Sequence, residues 1–127
     1  MTGRKTINLE SEEVLRLLRE IKNTPDVTQR ELSSSLGVSL GKINFLLNAL
    51  IQKGYVKANN FRNSHNKVAY VYLLTPRGLE EKARITYQFL MRKTAEYDAL
   101  KREIEKLRKE VRDIENLDLG LLKEQAK

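Results

Sequence analysis

TQRELSSSLGVSLGKINFLLNALIQKG, residues 28 to 54, encodes two helices and the turn between them. Thr28-Gln29-Arg30-Glu31 has the form of a capping box, in which the Thr28 hydroxyl accepts the Glu31 amide proton and the Glu31 carboxylate reaches back to the Thr28 amide. A short helix should run from there to about Leu36. Gly37 supplies the positive φ that closes a tight turn, Val38 plugs the corner, and Ser39 is placed as N-cap of the next helix. Within that helix Ile43, Leu47 and Leu50 recur every three or four residues and point to the core, so Lys42, Asn44, Phe45 and Asn48 lie on other faces. Gly54, just past Lys53, ends it. The spacing is that of a helix-turn-helix.

On the N-terminal side, Val14, Leu17, Leu18 and Ile21 fall at i, i+3, i+4 and i+7, one face of a helix that Pro25-Asp26 terminates. Met1 to Asn8 is polar and expected to fray. On the C-terminal side, Val56, Lys57, Ala58 and Asn59 alternate in polarity, and Val68 to Leu74 is rich in β-branched and aromatic residues. Between them Asn60 to Lys67 is polar and turn-prone, so the two strands predict a wing. Thr75-Pro76 starts the next helix, Thr as cap and Pro at the first helical position, where its missing N–H is not needed; Gly78 in the first turn is unexpected.

From Leu79 the pattern stays helical for over 30 residues, roughly 50 Å at 1.5 Å per residue, too long for the core of so small a domain, so the helix is expected to project. Its first half is apolar on two sides: Ala83, Tyr87 and Leu90 on one, Ile85 and Phe89 on another. Its second half carries a seam, with Tyr97, Ile104 and Val111 at heptad position a and Leu100, Leu107 and Ile114 at d. β-Branched residues at a with Leu at d favour two strands. Glu96, Glu103 and Glu110 are then at g, and Lys101, Arg108 and Glu115 at e. A parallel homodimer sets Glu96 against Lys101 and Glu103 against Arg108, with Glu110 facing Glu115 as the exception, so charge favours a parallel coiled coil. These exposed pairs bias orientation by a few tenths of a kcal/mol each, and the seam drives assembly.

The organisation read from the sequence is therefore a flexible N-terminus (1–8), a winged helix-turn-helix (9–78), a long dimerisation helix (79–115) that includes Leu90, and a tail (116–127) with Leu117, Leu119, Leu121 and Leu122 around Gly120. The fold class is mainly α with a small β-hairpin. At 127 residues and 40% apolar content this is one small domain with an appendage. Without cysteine there are no disulfides, zinc fingers or thiol catalysis, and a single histidine argues against a self-contained metal site. No cofactor is implied. No run of 18 apolar residues or signal peptide is present, so a soluble, intracellular protein with no membrane partner is expected.

Charge is sorted along the chain. The net charge is +7, and Leu32 to Leu79 holds Lys42, Lys53, Lys57, Arg62, Lys67 and Arg77 but no Asp or Glu, although the chain has 17 acids. That favours a polyanion as partner. In a helix-turn-helix the second helix enters the major groove, where asparagine pairs with adenine and lysine with guanine or phosphate, so Ser39, Lys42, Asn44 and Asn48 are the candidate DNA contacts. The alternative is a helix-turn-helix used only for packing or protein contact. Phe45 either touches a thymine methyl or packs in the core. Thr28, Gln29 and Arg30 open the preceding helix, where backbone amides and a cation can hold a phosphate; a solvated helix end fits the same residues. Arg62 and Lys67 can enter the minor groove or contact backbone, or simply be solvated, and His65 reads as a phosphate neighbour or bystander. Tyr55, Tyr70, Tyr72 and Tyr87 are read as packing residues, with a pocket for an apolar or aromatic effector at the junction of wing and long helix as the alternative. No nucleophile motif, paired acids or phosphate-cradling glycine loop is present, so no catalytic residue is assigned and the chain is not expected to be an enzyme.

Thr28-Gln29-Arg30-Glu31-Leu32, Gly37-Val38-Ser39, Lys53-Gly54-Tyr55-Val56 and Leu73-Leu74-Thr75-Pro76-Arg77-Gly78 together resemble MarR-type winged helix-turn-helix transcription regulators, whose wing is commonly followed by Leu-Thr-x-x-Gly. With Lys42-Ile43-Asn44-Phe45-Leu46-Leu47 and Tyr87-Gln88-Phe89-Leu90 the chain is similar in particular to the exopolysaccharide-associated MarR branch of bacteria. The resemblance implies a cytoplasmic, nucleoid-associated homodimer on a pseudo-palindromic DNA operator, acting as a repressor of exopolysaccharide genes, with Lys42, Asn44 and Asn48 on the recognition helix and Arg62 to Lys67 as wing. Two features depart from it. The wing lacks the Asp-x-Arg pattern common in MarR proteins, and the C-terminal part is one coiled-coil-like helix rather than two. A winged-helix adaptor that binds another protein is the alternative.

Overall fold

The computed structural model describes residues 7–62 and 68–125. In chain order the elements are α1 (Glu12–Asn23), α2 (Gln29–Leu36), α3 (Leu40–Gln52), β1 (Val56–Arg62), β2 (Val68–Leu74) and α4 (Pro76–Gln125). The chain forms two units, Met1–Phe89 and Leu90–Lys127.

The first unit is a winged helix-turn-helix. Each helix is started by a side chain that satisfies an amide the helix itself leaves open. The Ser11 hydroxyl accepts from the Val14 amide, and Glu12 and Glu13 place negative charge where the α1 dipole favours it. At α2 the capping box is complete: Thr28 Oγ1 accepts from the Glu31 amide at 3.2 Å and the Thr28 amide donates to Glu31 Oε1 at 2.9 Å. Thr28→Ala should therefore lower stability by about 1 kcal/mol, read as a drop in thermal midpoint of about 4–8 °C. Gly37 caps α2 at φ 67°, and Ser39 caps α3. Gly54 follows α3 at φ 82°.

The core lies where these helices meet the hairpin. Val14, Leu15, Leu17, Leu18 and Ile21 of α1 pack with Leu32 and Leu36 of α2, and with Ile43, Leu46, Leu47 and Leu50 of α3. Val27, Val56, Tyr72 and Ile85 complete the cluster. Among the described residues no buried side chain is charged or polar.

β1 and β2 pair antiparallel from Val56↔Leu74 to Arg62↔Val68. The expected loop from Asn60 is thus shorter than the sequence predicts, because Asn60, Phe61 and Arg62 stay in β1. Their own β-propensity is mixed, and the ladder to Val68–Tyr70 holds them extended. Residues 63–67 lie outside the described residues. A further bridge, not expected from the sequence, ties the hairpin to the segment before α2: the Tyr72 amide donates to the Val27 carbonyl at 3.0 Å.

The start of α4 is locked to the turn after α3. Thr75 Oγ1 donates to the Gly54 carbonyl and accepts from the Gly78 amide, while the Thr75 amide donates to the Tyr55 carbonyl at 3.1 Å. The Arg77 guanidinium stands over the Tyr55 ring, 5.6 Å from its centre. Gly78 is there because nothing larger fits: a β-carbon would sit 1.9 Å from the Tyr55 carbonyl oxygen. Of the two apolar sides expected on early α4, one packs, with Ile85 fully buried and Phe89 against the core, while Tyr87 and Leu90 are exposed.

The second unit consists of the remainder of α4, which stays helical through Gln125. Tyr97, Leu100, Ile104, Leu107, Val111 and Ile114 are all exposed in the single chain. Lys93 and Glu96 pair at 3.3 Å, and Arg108 approaches Glu105 at 3.9 Å, both within one turn of the same helix.

Candidate nucleic-acid interface

α3 carries two stripes of the same spacing. Ile43, Leu46, Leu47 and Leu50 are buried at i, i+3, i+4 and i+7; Gly41, Asn44, Phe45 and Asn48, offset by two residues, repeat that pattern and are exposed. The choice left open for Phe45 is settled against the core: the residue is 37% accessible and belongs to the outer stripe. At the head of the stripe Gly41 has open space where a β-carbon would stand, so another molecule's backbone can come close. Asn48 Nδ2 donates to Asn44 Oδ1 at 2.6 Å, a bond on this exposed face that uses neither the two N–H groups of Asn44 nor the carbonyl oxygen of Asn48. The Ser39 hydroxyl accepts from the Lys42 amide and fixes the first turn.

Lys42 is not a free cation. Its Nζ lies 3.1 Å from Glu13 Oε1, on the first turn of α1. A stretch that is free of acids in sequence is therefore not free of them in space. Glu81 gives a second case. Its carboxyl is held below the usual carboxylate range, first by a hydrogen bond from Arg84, against some opposing burial, and then by the positive charges of Arg84, Arg77 and Lys53.

The N-terminal turn of α2 stands beside the start of α3 and strand β2. Thr28, Gln29, Arg30, Leu40, Ala69, Tyr70 and Tyr72 line one shallow groove. Gln29 is engaged at both ends: Nε2 donates to the Leu40 carbonyl at 3.3 Å, and its Oε1 accepts from the Tyr72 hydroxyl at 3.5 Å. It stitches the wing to α3. Burial, with Tyr70 next to it, raises the Tyr72 hydroxyl pKa, so that hydroxyl stays a donor. Tyr72 packs as expected and Tyr55 is half-buried, but Tyr70 is 55% exposed beside the groove and Tyr87 is open to solvent. The backbone of Arg62 ends β1, whereas its side chain, His65 and Lys67 lie outside the described residues.

The structure thus groups Thr28, Gln29, Arg30 and Tyr70 in one groove with Leu40, and Asn44, Phe45 and Asn48 on one helix face. Reading the sequence did not single out Leu40, Gly41 or Glu13. The i, i+3, i+4, i+7 offset would have found Gly41, but nothing local links Glu13 to Lys42. Among the described residues no cluster of three metal-ligating side chains forms, and no single helix is long and apolar enough to cross a membrane.

A family model described as winged helix-turn-helix DNA-binding matches residues 14–57. No curated protein matches the chain by sequence. Among solved structures, a PadR-like transcriptional regulator from Bacillus cereus strain ATCC 14579 is similar over 68% of this chain and 91% of its own, at 25% identity and TM-score 0.62. A MarR family transcription regulator is similar over 67% of this chain and 55% of its own, at 21% identity and TM-score 0.56. The multiple antibiotic resistance repressor MarR is similar over 65% of this chain and 58% of its own, at 24% identity and TM-score 0.54. The chain therefore matches most of the PadR-like protein but little more than half the length of these two MarR structures. It is a winged helix-turn-helix protein with the architecture shared by MarR and PadR transcription regulators.

Proposed function

We propose that the protein is a sequence-specific, double-stranded DNA-binding transcription regulator of the bacterial cytoplasm, acting as a homodimer and a repressor. The observation that carries this reading is the outer stripe of α3, where Asn44, Phe45 and Asn48 stand exposed on a capped helix whose opposite stripe is wholly buried. Such a helix suits the major groove, with the asparagines toward adenine and Phe45 toward a thymine methyl. Arg30 and the groove at the α2 N-terminus suit a backbone phosphate, and Arg62, His65 and Lys67 suit the wing contact. Two copies joined through Leu90, Tyr97, Leu100, Ile104, Leu107, Val111 and Ile114 place two α3 helices on half-sites about 34 Å apart, on a pseudo-palindromic operator. A parallel pairing is the reading that the g and e charges support; Glu96 and Arg108, which also have same-helix partners, add little to its strength. The resemblance to the exopolysaccharide-associated branch supplies the target genes.

Operator affinity in the range of about 1–10 nM with steep salt dependence is expected. Lys42→Ala should weaken operator binding about tenfold, read by titration of a duplex selected from a random pool. A variant that titrates like wild type removes Lys42 from the interface. The same salt series on heparin separates a DNA binder from a winged-helix adaptor for another protein, because the adaptor elutes early.

A further inference from the structure

The Glu13–Lys42 ion pair sits where its physics is unusual. Lys42 is in the first turn of α3, a position where the helix dipole disfavours positive charge, and that turn contains no acid of its own. The compensating carboxylate comes from α1 instead, with Glu13 Oε1 3.1 Å from Lys42 Nζ. Neither partner is loosely placed. Lys42 is anchored by the Ser39 cap and by its buried neighbour Ile43; Glu13 is anchored by the Ser11 cap and by buried Val14 and Leu15. Both side chains remain open to water, at 34% for Glu13 and 50% for Lys42, so an external anion can compete.

Resting on the reading of α3 as the DNA-facing helix, we propose that Glu13 is a positioning residue, an intramolecular stand-in for a nucleotide phosphate that occupies Lys42 until a matched site displaces it. On generic duplex the exchange gains little, because one anion replaces another, and Lys42 stays with Glu13. On the operator, base contacts along Asn44, Phe45 and Asn48 hold α3 deep enough for Lys42 to leave Glu13 for the nucleic acid. Breaking the pair is a cost met in full in the operator complex, so Glu13 holds operator affinity below what the same contacts would otherwise give, by the worth of one exposed ion pair.

The test uses the full chain and two duplexes, a selected operator and a scrambled sequence of the same length, titrated by fluorescence anisotropy over a range of salt. Glu13→Gln keeps the side-chain size at a half-buried position in the first turn of α1 and removes the charge. Freed Lys42 should then add one phosphate contact on the scrambled duplex: affinity rises about two- to fivefold, the scale of an exposed ion pair, and the log affinity against log salt slope steepens by about 0.9. Operator affinity should rise at least as much, because breaking the pair is always required there, but with no change of slope, because Lys42 already meets the nucleic acid in wild type. Combining Glu13→Gln with Lys42→Gln should abolish the gain and restore the shallower slope. A merely structural role for Glu13 would shift thermal stability but leave both slopes unchanged. If wild type binds the operator and Glu13→Gln leaves scrambled-duplex affinity and slope as they were, the stand-in role is overturned and the DNA reading survives. If wild type binds neither duplex, the DNA reading falls and takes this inference with it.

Discussion

In the proposed homodimer, Leu107→Pro is expected to separate the pair into single chains and to lower operator affinity by a factor of about 10² to 10⁴, because each DNA-binding unit then acts without its tethered twin. The argument starts from exposure. In one copy Leu100, Ile104, Leu107, Val111 and Ile114 form a continuous apolar stripe, each 39% or more accessible, on a helix with no other element packed on that face within its own unit. A stripe of this length on a charged helix is stable in water when a second helix covers it, and heptad spacing makes an identical helix the natural cover. Proline at position 107 removes one intrahelical hydrogen bond and collides with the carbonyl of Glu103, about 3 kcal/mol or more, at the middle of the seam. Leu107→Lys supplies the control that keeps the helix: it too should dissociate the pair, by burying a charge at a d position. Light scattering that still reports two chains for both variants would show that the copies associate elsewhere or that the seam has a different partner. Neither substitution touches the core of the winged unit, so weak salt-sensitive retention on heparin should persist in both.

The parts of the fold that were legible in the sequence are those set by one residue and its near neighbours. Thr28 with Glu31, Gly37, Ser39, Gly54 and Thr75-Pro76 each satisfy or end a helix through contacts within a few residues, and all of them act as their chemistry predicts. The outer face of α3 follows from the inner one by helical geometry. What was not legible depends on chain segments far apart in sequence. Asn60 reads as the start of the loop because asparagine has little intrinsic preference for strands, and only the partner strand keeps β1 going to Arg62. Val27 gives no sign that Tyr72 will pair with it, nor Glu13 that Lys42 will. The absence of acids between Leu32 and Leu79 describes the backbone's order and not the surface, which α1 and α4 supply with Glu13 and Glu81. Gly78 belongs to this class too. It looks misplaced on helix propensity, and its reason lies at Tyr55.

Gly78→Ala is accordingly expected to be among the most damaging single-atom additions in the winged unit. The new β-carbon would meet the Tyr55 carbonyl oxygen at 1.9 Å, its carbonyl carbon at 2.9 Å and its Cα at 3.2 Å. All three are backbone atoms, so no rotamer change relieves the collision. Either the first turn of α4 withdraws or the turn from Gly54 into β1 shifts. Both moves break the joint made by Thr75 with Gly54 and Tyr55 and by Arg77 over the Tyr55 ring. Overpacking typically costs about 1–3 kcal/mol, and the rigid partner here places the effect at about 3 kcal/mol, a fall in thermal midpoint of about 12–24 °C for a unit of this size. On helix propensity alone the same substitution would stabilise by about 1 kcal/mol, so the two mechanisms predict opposite signs. Gly41→Ala isolates the propensity term, because a β-carbon there meets nothing within 4 Å; it should raise the midpoint slightly. A Gly78→Ala protein that melts at or above the wild-type temperature would show that α4 does not approach the α3–β1 turn as closely as described, and the signature Leu74-Thr75-Pro76-Arg77-Gly78 would then need a reason other than this joint.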